Sequence, residues 1–159
     1  MKATLVSIVV LAFAVSFGSK TSLPTPPLSL CETLNKVLKD EANTYRSFKG
    51  KAVTKNDDNS VDHLLTIGFA GWDSCHYVQE EKGGYVELYT IHSTRAKAQA
   101  HFSSTLKTLE TCMAVKGDLL KKEGGETIYT FDKGKTEVML AFTISHGNMI
   151  LVMTIQSLE

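Results

Sequence analysis

The stretch STRAKAQAHFSSTLKTLETCMAVKG, residues 93–117, decides how the rest of the chain is read. Ala98, Phe102, Leu106, Leu109 and Met113 recur at three- and four-residue steps, which stacks them on one face of an α-helix. Ser93 is the expected N-cap. Lys116 followed by Gly117 is the expected end, because glycine tolerates the left-handed turn that closes a helix. The segments on either side alternate apolar and polar residues, so this helix divides two strand-rich regions.

Upstream, residues 29–50 make a matching piece. Ser29 and Glu32 have the spacing of a capping box, and Leu34, Val37, Leu38, Tyr45 and Phe48 form an apolar stripe expected to stop at Lys49 and Gly50. Residues 51–60, with Asn56, Asp57, Asp58 and Asn59, predict an exposed loop. Strands are expected over 61–69, 75–79 and 85–91. After the central helix, 121–125 predicts a polar loop and 127–131 resumes strand character.

Residues 132–135 and 145–148 predict tight hairpin turns. Counting outward from them puts Tyr129, Val138, Leu140, Phe142, Leu151, Met153 and Ile155 on one face. Ile128, Met139, Ala141, Thr143, Ile150, Val152 and Thr154 then share the other. The expected fold is α+β: an antiparallel sheet of about six strands with two helices packed on one face, in the order α-βββ-α-βββ. That order hints at an internal duplication.

The N-terminal end reads as an export signal. Met1 and Lys2 give a short basic start, residues 5–17 are apolar apart from Ser7 and Ser16, and small residues follow where a signal peptidase needs them. Residues 1–18 are therefore expected to be cleaved, leaving no membrane span. All three prolines fall in residues 19–28, a stiff tether, and residues 29–159 make one α+β domain. The expected location is secreted or periplasmic, where thiols can pair. Seventeen basic and seventeen acidic residues cancel, so no net field draws the chain to nucleic acid. The signs are nonetheless segregated, with one basic against seven acidic residues over 56–87.

Three cysteines leave at least one unpaired within the chain. Antiparallel packing of the two helices would bring Cys31 beside Cys112, closing a loop worth roughly 4 kcal/mol on chain-entropy grounds. The rival pairing is Cys75 with Cys112. The favoured pairing makes Cys75 a free thiol, and His63 or His76 could serve it as a base. Adjacent strand residues point to opposite faces, however, so His76 is badly placed to do so.

The histidines lack helical metal-ligand spacing, leaving a pairing of His63 with His76 across neighbouring strands as the one arrangement to examine. No catalytic elbow, phosphate loop, cofactor fingerprint or complete calcium loop is present, so the sequence offers no positive case for catalysis. The last hairpin is more informative. It is apolar on both faces, and helices on one side leave Ile128, Met139, Ala141, Ile150 and Val152 to be covered by something else.

Two functional expectations follow. The first is an exported non-catalytic binding or interaction domain, taking a second copy as a homodimer, an envelope protein or a small apolar ligand on that face or in the groove between sheet and helices. The alternative is a secreted thiol-active protein or enzyme centred on Cys75 with His63 or His76.

Overall fold

The structure is a computed structural model that describes residues 28–158. The expected signal peptide, residues 1–18, and all but the last residue of the expected tether, residues 19–28, lie outside the described residues.

The first helix, α1 (Leu30–Leu38), opens on the expected capping box. Ser29 Oγ accepts from the Glu32 amide at 3.3 Å, and Glu32 Oε2 accepts from the Ser29 amide at 3.0 Å. It stops well short of Gly50. The Asp40 carboxylate accepts from Asn43 Nδ2, the Ser47 amide and Ser47 Oγ at 2.8–3.0 Å, local bonds that compete with helix continuation. Thr44 and Tyr45 then take left-handed backbone angles, φ 51° and 61°. This reversal drives Tyr45 fully into the core, where its hydroxyl meets Thr136 Oγ1 at 3.1 Å.

Four strands follow: β1 (Lys49–Lys55), β2 (Val61–Leu65), β3 (Ser74–Glu80) and β4 (Gly83–His92). The central helix α2 (Arg95–Met113) is capped by Thr94, one residue later than expected, and ends where Ala114 turns left-handed at φ 54°. Gly117 has a different task. A Cβ there would stand 2.7 Å from the Phe131 ring, so the glycine allows chain and ring to approach. Four more strands complete the chain: β5 (Asp118–Glu123), β6 (Glu126–Lys133), β7 (Thr136–Ser145) and β8 (Asn148–Ser157).

The expectation of about six strands under two helices is overturned. One sheet of eight antiparallel strands runs in the order β1-β2-β3-β4-β8-β7-β6-β5, and the chain reads α-ββββ-α-ββββ. The two strands missed are β1 and β5, the outermost pair, and their sequences KGKAVTK and DLLKKE are mostly exposed. Edge strands carry lysines because charge deters pairing with other chains, and the same charge makes them read as loops. Each half is a four-strand meander, and the halves join along β4 and β8.

Register fixes two faces. On the core side lie Tyr77, Val86, Leu88, Leu140, Met153 and Ile155, all completely buried, with Leu34 and Val37 of α1 and Leu109 of α2. Phe102 of α2 packs at a tilt against Tyr129 and edge-on against Phe142, ring centroids 6.1 and 6.3 Å away. Each such large side chain contributes about 1.5–3 kcal/mol by leaving water. Cys31 and Cys112 stand at disulfide distance, Cα atoms 5.4 Å apart, tying the start of α1 to the end of α2. No helix among the described residues is long and apolar enough to cross a membrane.

Candidate functional site

The opposite, outer face of the sheet is built from the alternate residues of the same strands. Its central row crosses six strands in register, from Leu64 on β2 through His76, Glu87, Thr154 and Met139 to Thr130 on β6. The next row runs Ser74, Tyr89, Val152, Ala141, Ile128 and Lys121. On the other side lie Asp62, Val78 and Tyr85.

Ile128, Met139, Ala141, Ile150 and Val152 therefore share this face, but they do not form an open apolar patch. Ile128 is only 1% exposed and the other four are half-buried. The large apolar side chains left exposed on this face are Leu64 and Ile91, at 40% and 39%.

The chemistry gathers on β4. Tyr85, Glu87 and Tyr89 alternate along the strand and so share one face, with a tyrosine two residues to either side of the glutamate. Burial pushes the Glu87 carboxyl up to about 7, and the negative charge of Asp62 adds to the rise. Asp62 is itself buried and accepts from Asn56 Nδ2 at 3.0 Å. Tyr85 is raised well above the ordinary phenol value, first by burial and then by the charges of Glu87, Glu80, Asp62 and Asp58.

On β3, His76 Nε2 meets Ser74 Oγ at 3.0 Å, and the imidazole stands edge-on to Tyr89. Burial lowers its pKa, against the opposing pull of Asp62. Thr154, directly across from Glu87, is 8% exposed, and its buried hydroxyl oxygen has no hydrogen-bond partner among the described residues.

The thiol residues fall elsewhere. Cys75 is free and half-buried on the core side, in register with Leu88 and packed against the core. Burial pushes its thiol up to about 11, with the Asp73 charge adding to the rise and a backbone hydrogen bond at Phe69 opposing it. His76 projects from the other face. His63 lies on the core side opposite Tyr77, not opposite Cys75, with Nδ1 3.2 Å from the Gly50 carbonyl oxygen and Nε2 unpartnered. His63 and His76 thus occupy opposite faces and cannot share a metal. No group of three metal-ligating side chains occurs among the described residues.

A smaller cluster sits at the start of α2. His101 meets His92 at 3.0 Å and packs beside Trp72, which is buried in the core with its indole N–H unpartnered among the described residues.

Sequence reasoning missed Glu87, Tyr85, Tyr89 and Asp62 as a group. The signal was the alternation Tyr85, Glu87, Tyr89, a charge held mid-strand between two aromatics on one face. Comparison with protein-family models, with curated proteins and with solved structures finds no match for this chain.

Proposed function

We propose that the protein is an exported, non-catalytic binding or interaction domain that works through its outer sheet face. The observation that carries this reading is the composition of that face. Half-buried apolar side chains, two exposed ones and two tyrosines surround a carboxyl group that has no charged partner among the described residues, on the side away from the core. A surface of this kind is suited to contact with a second copy, another envelope protein or a small ligand.

Export is supported by the apolar run of residues 5–17 together with the Cys31–Cys112 pair, since such bridges persist in oxidising compartments. The thiol-active alternative has less behind it. A protonated, core-packed Cys75 without a base in reach is a poor nucleophile.

Size-exclusion chromatography with light scattering at micromolar concentration, joined to native mass spectrometry, tests the proposal. A dimer, a co-purified ligand or binding of a hydrophobic dye is expected. A ligand-free monomer that binds no dye overturns it.

A further inference from the structure

We propose that the centre of the outer face is a site for a small organic cation, a protonated amine with an apolar body, held by Glu87 between Tyr85 and Tyr89. This rests on the reading of that face as a binding surface and names the chemical class it binds. The strand geometry supplies the first argument. Alternation on β4 sets a phenol ring on either side of one carboxylate, and a cation seated there gains both charge attraction and contact with aromatic faces.

The second argument is the lack of an internal counter-charge. Among the described residues the ion pairs are those of Lys121 with Glu123 and Glu126, near the β5 edge of the sheet. The groups facing Glu87 are Asp62 from β2, His76 from β3, Tyr85 and Tyr89 from its own strand, and uncharged Thr154 from β8. Burial drives His76 towards its neutral form, and Asp62 adds a second negative charge, so the face selects a cation over an anion. With no group of three ligands nearby, the cation is organic rather than a metal ion.

Thr154 supplies the third, independent argument. Its hydroxyl is buried beside Glu87 with no partner, and a buried polar group left unsatisfied calls for one. An ammonium group has donors enough for both the carboxylate and this oxygen. The apolar body would lie over Met139, which pairs with Thr154 from β7, and Val152, two residues before Thr154 on β8.

Titration of the full chain with phenethylamine by isothermal calorimetry tests the site, with phenethyl alcohol as the uncharged counterpart. Saturable binding of the amine is expected, at least about tenfold tighter than the alcohol. Because Glu87 must be ionised to hold the amine, affinity should fall about tenfold from pH 8 to pH 6. Glu87→Gln should lose about tenfold or more, and Tyr89→Leu several-fold, with circular dichroism verifying that both variants fold.

Equal binding of amine and alcohol, or an undiminished Glu87→Gln variant, overturns the amine site while leaving an apolar binding face in place. Absence of saturable amine binding up to millimolar concentration also overturns it. If the protein is in addition a dye-negative, ligand-free monomer, the broader binding reading falls as well.

Discussion

Replacing Glu87 with Gln should stabilise the protein at pH 8 and change little at pH 5. The folded environment raises this carboxyl from an ordinary 4.5 to about 7, mainly by burial and secondarily through Asp62. In the unfolded chain the group ionises near 4.5. Between the two values the folded state holds a proton that the unfolded state has released. Stability therefore falls as pH rises through that window, and the loss is complete above 7. At about 1.4 kcal/mol per pH unit, the ionised side chain costs the fold about 3 kcal/mol. That is an upper value, since the residue keeps some solvent contact that screens its charge. Glutamine keeps the size and removes the charge. Urea unfolding followed by circular dichroism at several pH values should show the variant gaining on the parent as pH rises. By pH 8 the midpoint should differ by about 1 M or more. A difference that stays constant with pH, or a variant less stable than the parent at pH 8, refutes the account, because either means that the carboxylate is satisfied in the fold.

Replacing Cys31 and Cys112 together with Ala should cost up to about 4.5 kcal/mol, the loop-closure entropy of an 81-residue separation, and chemical denaturation measures it. A loss below about 1 kcal/mol would show that the bridge constrains little. Gly84→Ala should destabilise by about 1–3 kcal/mol, because the added Cβ would meet the Val78 carbonyl oxygen at 2.6 Å as well as the Tyr77 ring; a thermal midpoint equal to the parent's contradicts this. Cys75 should react with a disulfide reagent at neutral pH about a hundredfold more slowly in the native protein than in urea, and a stoichiometric native burst would restore the thiol reading. Phenethylamine should raise the thermal midpoint of the parent at pH 8 but not that of Glu87→Gln, and equal shifts in both would place the ligand elsewhere.

Sequence pattern revealed the parts of this fold whose apolar periodicity is strong, and it failed where polarity had another cause. The Ser29 and Glu32 cap, the apolar stripe of α2 and the division of the last hairpin into two faces follow from spacing alone, because burial on one side imposes a period. The edge strands β1 and β5 were illegible because their exposed lysines serve against unwanted pairing. Helix α1 was overextended because Tyr45 and Phe48 continue its stripe, although they reach the core through left-handed turns. The Cys31–Cys112 pair was accessible from packing logic, since each thiol sits beside the apolar stripe of its own helix. Glu87 was not, because its meaning depends on Asp62 two strands away and on Thr154, 67 residues later in the chain.

The place of Glu87 bears on what it is for. Strands β4 and β8 are the innermost of the sheet, the seam along which the two meanders join, and an uncompensated carboxylate there weakens the joint on which the whole architecture depends. An apolar or amide side chain would fit the same position between Tyr85 and Tyr89 at lower cost. Neighbouring groups do nothing to relieve the charge: Asp62 opposes it, His76 is driven towards neutrality, and Thr154 leaves its own hydroxyl unpaired. Local departures from the stability optimum of this kind collect where a partner supplies the missing interaction. The missing interaction has a definite sign and shape here: positive charge, several hydrogen-bond donors, and enough apolar surface to lie against Met139 and Val152. A second copy of the sheet face would bring another Glu87 and another Asp62 up against the first, adding repulsion where attraction is lacking. The charge arithmetic therefore favours a cationic ligand over face-to-face self-association.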